Sequence, residues 1–229
     1  MSPRVTYVKQ QLVAKGFDKA VVNALFNDKR LRFYTIKTVT YKQPSWDIIT
    51  KKLTSDTLVQ NGRNYLVSHS AIFEKTERDY GVPQEILAGI IAIETDFGKN
   101  NGNYITFNAL YSRMRQWSAT RWKGQAEQVI ALVTYCLEAR IDCFSIKGSY
   151  AGALGIVQFM PNSLLAYGVD GDKNGTINLF EPEDAIPSAA NFLIRHGWND
   201  DQHKAITRYY GSSVGYPDIV LAYASLVKN

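Results

Sequence analysis

The sequence predicts an all-α, mostly helical fold. Three observations carry that expectation: apolar residues recur at spacings of three and four through segment after segment, strand signals are few, and no repeat at a solenoid period appears. The chain has 229 residues, 45% of them hydrophobic, enough for one sizeable core.

Residues 5–27 read as two short amphipathic helices broken at Gly16-Phe17-Asp18. Residues 31–44, rich in Thr, Tyr and Lys, read as extended or irregular. A long helical pattern then covers 55–80 through Leu58, Tyr65, Leu66, Ile72 and Phe73, interrupted by Gly62. Beyond the polar turn at 99–104, helices are expected over 105–114, 119–137, 161–167, 182–196 and 204–227. The expected organisation is a helical region over 1–80 packed on a core over 81–229, forming one continuous structural unit.

The chain is organised around residues 81–98, GVPQEILAGIIAIETDFG. Pro83 suits a first helical turn, Glu85 sits near the positive end of the helix dipole, and Gly98 is a C-terminal stop. Leu87, Ile90 and Ile91 share one helical face, and Glu94 follows them by seven, four and three residues. A carboxyl on that apolar stripe loses hydration, which raises its pKa and makes it a proton donor near neutral pH. The competing reading is a Glu at the rim, paired with a Lys or Arg.

Two further segments carry chemistry. Residues 148–155, GSYAGALG, followed by IVQFMP, have a density of small residues that permits close backbone approach, with Ser149 and Gln158 as hydrogen-bonding groups. The spacing of a dinucleotide fingerprint and that of a nucleophile elbow are both absent. In residues 170–181, DGDKNGTINLFE, Asp170, Asp172 and Asn174 take positions 1, 3 and 5 of an EF-hand loop. Gly175 makes the turn, Thr176 offers its carbonyl, and Glu181 falls at position 12. The alternative there is an Asp/Asn/Gly turn that binds nothing.

Composition narrows the partners. The net charge is +5, which favours an anionic partner, but the cations are dispersed and no basic run reads as a nucleic-acid arm. No apolar run approaches the roughly 20 residues that span a bilayer. The N-terminus has no signal-peptide h-region. Cys136 and Cys143 are unbridgeable within one continuous helix, where they stand roughly 10 Å apart. They pair only if the helix ends near Arg140; otherwise they are two buried thiols.

The segments 82–95, 147–153 (KGSYAGA), 158–161 (QFMP), Asn191 and 196–198 (HGW), with 59–62 (VQNG) upstream, together resemble the lytic murein transglycosylase B family. The resemblance keeps its order along most of the chain. It implies a lysozyme-like domain with an EF-hand-like calcium loop, closed by Asp184 in preference to Glu181. It implies Glu94 as the single catalytic acid/base, Ser149 near that carboxylate, and Gln158, Tyr209 and Tyr216 along the glycan. Ile49 and Phe192 stand where the family pattern has tyrosines. The implied activity cleaves peptidoglycan strands to 1,6-anhydromuramic ends with no cofactor for the chemistry and calcium as a structural ion. The implied setting is a periplasmic or outer-membrane-associated monomer, exported by a signal absent from this sequence and open to cell-wall enzyme complexes. A hydrolytic muramidase and a catalytically silent wall-binding scaffold are the alternatives.

Overall fold

The computed structural model describes residues 2–35, 45–211 and 215–228. Among these, twelve helices and one two-stranded antiparallel ribbon divide between two compact units, neither of them continuous in sequence. No helix of the described residues is long and apolar enough to cross a membrane.

The first unit comprises the described residues of Met1–Tyr41, Asn101–Leu154 and Gln158–Ala166. It holds α1 (Pro3–Ala14), α2 (Lys19–Asn27), β1 (Tyr104–Ile105), α7 (Thr106–Gln116), α8 (Trp122–Glu138) and β2 (Lys147–Gly148). The break between α1 and α2 falls where the sequence puts it. Gly16 takes a positive φ, and Asp18 caps α2 by accepting from the amides of Ala20 and Val21. Val8 and Leu12 are fully buried, and Phe26 meets Phe107 edge-on. β1 pairs with β2 in the register Tyr104↔Gly148, Ile105↔Lys147, a ribbon the sequence did not announce. α8 stops at Glu138, Arg140 turns left-handed at φ 58°, and Cys136 pairs with Cys143 as a disulfide across 5.5 Å between Cα atoms. Of the two readings of the cysteines, the structure takes the bridged one.

The second unit comprises the described residues of Lys42–Asn100, Gly155–Val157 and Tyr167–Asn229. It holds α3 (Trp46–Leu53), α4 (Asp56–Ser68), α5 (Ser70–Tyr80), α6 (Gln84–Thr95), α10 (Pro182–Arg195), α11 (Gln202–Tyr210) and α12 (Gly215–Lys228). α9 (Pro161–Tyr167) lies across the division. The boundary expected at 80/81 falls inside this unit, between α5 and α6, which pack together. α6 is its centre: Ile86 to Ala92 are buried without a break, and α4 and α12 lie against it. The middle of the helix is apolar and buried on every face, so the stripe that singled out Glu94 is one part of a buried central segment.

Two local readings need correction. The expected helix over 55–80 is two helices, and the break falls at His69, not at Gly62. Gly62 is inside α4 because a Cβ there would stand 2.3 Å from the Tyr223 hydroxyl, which donates to the Leu58 carbonyl. Its smallness serves packing between α4 and α12, not chain reversal. In α6, Pro83 is the residue before the helix, and the helix ends at Thr95, earlier than Gly98. Of the expected irregular stretch 31–44, residues 36–44 lie outside the described residues.

Candidate active site

The C-terminal end of α6 builds the site. Asp96 and Phe97 take left-handed φ of 50° and 58° and Gly98 follows at 82°, so the helix stops abruptly at Thr95, one residue after Glu94. Thr95 is buried and pins this corner: its hydroxyl donates to the Ile156 carbonyl at 2.8 Å and accepts from the Gly98 amide at 3.0 Å. The sequence reading passed over Thr95. Its only sequence signal was its place beside Glu94.

Glu94 is partly buried. None of the ion pairs among the described residues involves it, which removes the rim reading. Burial pushes its pKa from 4.5 up to about 7, against the opposing pull of a hydrogen bond from Tyr216. Tyr216 is fully buried and donates its phenol proton to Oε1 of Glu94 at 2.8 Å. Tyr209 donates to the Val157 carbonyl at 2.8 Å, and its ring lies parallel to that of Tyr216, 6.5 Å away. Burial, then the neighbouring Glu94, holds both phenols well above their ordinary pKa, so both stay protonated donors.

Aromatic rings continue outward. Tyr210, which the sequence reading left unassigned, stacks on Tyr216 with centroids 4.7 Å apart. Phe192 meets Tyr209 edge-on and stacks on His196 at 3.9 Å, and Tyr167 packs against both Phe192 and His196. This wall is drawn from the end of α9 and from α10, α11 and α12, so no single sequence window displays it.

Asp96, the nearest carboxylate to Glu94 along the chain, is committed elsewhere. Asp96 lies past the helix end, and its carboxylate faces Lys99 at 3.4 Å. What remains is one acid that holds its proton near neutral pH beside a phenol donor, a group able to give a proton and take one back.

Ser149 and Gln158 belong to the first unit. Ser149 closes the turn at 149–153: its Oγ accepts from the Ala153 amide at 3.0 Å and its own amide donates to the Ala153 carbonyl at 2.9 Å. Gln158 takes a φ of 50°, and its side-chain nitrogen donates to the Asn101 carbonyl at 3.4 Å.

Where the loop at 170–178 meets the first turn of α10, carboxylate oxygens of Asp170, Asp172 and Asp184 lie within 4.8 Å of one another. Asp184 is 1% exposed, and its two oxygens accept from the amides of Gly171 and Asn178 at 2.8 and 2.6 Å. No ion pair among the described residues neutralises it. Asn174 bonds to Asp170 and Asp172, and the Thr176 amide donates to Asn174. Glu181 is exposed and stands outside the carboxylate group. Three hard oxygen donors with one buried charge fit a calcium ion.

A family profile described as the transglycosylase SLT domain matches residues 1–212. The chain belongs to the transglycosylase SLT family. Among this family's curated relatives, the membrane-bound lytic murein transglycosylase B of Escherichia coli K12 is 30% identical over 226 residues, 93% of this chain. The chain spans 62% of that relative's length. The crystal structure of the soluble lytic transglycosylase SltB1 of Pseudomonas aeruginosa superimposes with a TM-score of 0.88 at 25% identity, covering 98% of both chains. The Escherichia coli lytic transglycosylase Slt35 in complex with calcium shares the fold, with a TM-score of 0.87 at 24% identity over 99% of this chain and 93% of that one.

Proposed function

We propose that this member of the transglycosylase SLT family is a lytic transglycosylase of peptidoglycan. It would cleave the β-1,4 bond between N-acetylmuramic acid and N-acetylglucosamine, with Glu94 as its single acid/base. The observation that carries this reading is the state of Glu94: desolvated, free of any described ion pair, with a pKa raised to about 7 and a phenol donor at 2.8 Å.

The chemistry needs no second protein carboxylate. Protonated Glu94 gives its proton to the leaving glycosidic oxygen as the bond to the muramic C1 breaks. The neighbouring acetamido oxygen stabilises the cation at C1. The C6 hydroxyl of the same sugar then attacks C1 and returns its proton to Glu94. The product is a 1,6-anhydromuramic end, and the acid is regenerated with no water consumed. Tyr216 orients the carboxylate and stabilises it in its ionised phase. Tyr209 borders the glycan, and Ser149 and Gln158 supply hydrogen bonds to it, as the family pattern implies.

Calcium would be held by Asp170, Asp172 and Asp184, with the Asn174 side chain and the Thr176 carbonyl completing the set. Bound there, it would brace the loop against α10 and take no part in the reaction. The Cys136–Cys143 disulfide supports an oxidising location, which agrees with a periplasmic or outer-membrane-associated enzyme acting as a monomer.

The test is mass analysis of products from purified sacculi and from peptide-free glycan. Anhydromuramic ends from the native chain, and none from Glu94→Gln of unchanged circular dichroism, are expected. Reducing ends establish a water-using muramidase in its place, and glycan binding without product establishes a silent scaffold.

A further inference from the structure

A second concave site lies within the second unit, a cavity of about 360 Å³ between one stripe of α5, the start of α10 and the loop at 169–173. That volume is in the range of small-ligand pockets. Ile72, Val169 and Pro187 supply its apolar lining. Thr76 lines it too, although the residue is 3% exposed, and its hydroxyl makes no hydrogen bond to the described residues. That hydroxyl is not among the buried polar atoms of the described residues left without a partner, so it is open to water or to a ligand.

The charges at the rim are unusual in what they leave uncommitted. Lys75 is paired with Asp79 along α5, and Asp170 belongs to the carboxylate group of the loop. Lys173 and Glu183 line the same cavity yet make no ion pair with each other or with any described residue. Lys173 is held on the loop with φ 62°, and Glu183 is fixed in the first turn of α10. One cation and one anion, neither in an ion pair among the described residues, line one partly apolar pocket. Burial, then the nearby Glu183, raises the pKa of Tyr65. Together the two charges complement a ligand that carries the opposite pair.

We propose that this cavity recognises a zwitterionic amino-acid group, and that its occupant is the peptide stem of the glycan. It takes the residue whose ammonium and carboxylate sit on one carbon, as at the free end of a diaminopimelate side chain. The ammonium meets Glu183, the carboxylate meets Lys173, and a polar atom of the ligand engages Thr76. The identity of the occupant rests on the peptidoglycan reading above. The cavity then selects peptide-bearing glycan without touching the reacting atoms. Because Asp170 and Lys173 lie on the loop proposed to hold calcium, the pocket wall is complete only when that loop is ordered.

The experiment is calorimetric titration of the full chain carrying Glu94→Gln, in saturating calcium, with a diaminopimelate-containing stem tetrapeptide. The controls are the same peptide amidated at the diaminopimelate side-chain carboxylate and free diaminopimelate. Binding of the tetrapeptide is expected, with affinity about tenfold weaker for the amidated peptide and for Lys173→Met or Glu183→Gln. In the otherwise native chain, those two substitutions should raise KM on peptide-bearing glycan and leave kcat unchanged. Both constants on peptide-free glycan should stay as they are. Absence of tetrapeptide binding, or binding indifferent to Lys173→Met and Glu183→Gln, overturns the proposal. Tight binding of free diaminopimelate alone overturns the stem as occupant. Loss of the lytic reading itself shows separately, as a failure of the native chain to release anhydromuramic ends from peptide-free glycan.

Discussion

The phenol of Tyr216 donates a 2.8 Å hydrogen bond to Oε1 of Glu94, and it does so from a fully buried ring on a different helix. Two opposed effects therefore meet on one carboxyl. Burial holds the proton on and the Tyr216 hydrogen bond eases it off, leaving the group at about 7. A proton donor that must become an acceptor later in the same turnover works best near that balance.

Tyr216→Phe keeps the buried ring and removes the hydrogen bond. The pKa of Glu94 then rises further, because the ionised form loses its donor. The falling limb of the pH–rate profile should move to higher pH by about 0.5–1, the equivalent of roughly 1 kcal/mol. At neutral pH kcat should fall, since the second step needs the carboxylate. A profile with an unshifted limb would show that Tyr216 only packs.

Glu94 also makes stability depend on pH, with a sign fixed by the direction of its shift. The carboxyl titrates near 4.5 when unfolded and near 7 when folded. Its contribution is fully present below 4.5 and is lost as pH rises through 7, because in between only the native state keeps the proton. From pH 5 to pH 8 the native chain should lose roughly 2–3 kcal/mol that Glu94→Gln does not lose. Urea denaturation of both proteins at the two pH values measures the difference.

Gly62→Ala should destabilise the second unit. The added Cβ would stand 2.3 Å from the Tyr223 hydroxyl and 3.2 Å from the ring carbon that carries it. A rigid phenol fixed by a bond to the Leu58 carbonyl at 2.7 Å has little room to yield. Overpacking of this kind costs about 1–3 kcal/mol. Tyr223→Phe removes the clashing oxygen, so the double variant should be more stable than the two single effects summed, a coupling that a double-mutant cycle reads directly.

These residues also mark where the sequence was legible and where it was not. The helix that carries Glu94 was readable because its apolar run is local, although its ends fell one to three residues inside the Pro83 and Gly98 signals. The abrupt left-handed exit at Asp96 and Phe97 was not, since neither residue type announces a positive φ. Gly62 stood inside the expected helix as a weak point in its pattern, and only its neighbour Tyr223, far along the chain, shows that it is a packing contact. His69 carries no breaker signal at all, so the division between α4 and α5 had no local cue. The loop carboxylates were recognisable from their spacing. The preference for Asp184 over Glu181 came from family resemblance alone, and Asp184 is the one of the two whose carboxylate stands with those of Asp170 and Asp172.

That last distinction leads to a test of the loop. Asp172 is exposed and its hydrogen bonds come from Asn174 within the loop itself, so Asp172→Asn should remove a proposed calcium ligand at little cost to the metal-free fold. Asp184 is a poorer probe, because its carboxylate also holds the amides of Gly171 and Asn178 and its loss would loosen the loop with or without an ion. Calcium added to metal-stripped protein at a hundred times its Kd should stabilise the native chain by about 2.7 kcal/mol, or roughly 5–10 °C in Tm. Glu181→Gln should keep that response, since Glu181 stands outside the carboxylate group, while Asp172→Asn should lose most of it. A native chain whose Tm ignores calcium would leave the three aspartates as a hydrogen-bonded turn and nothing more.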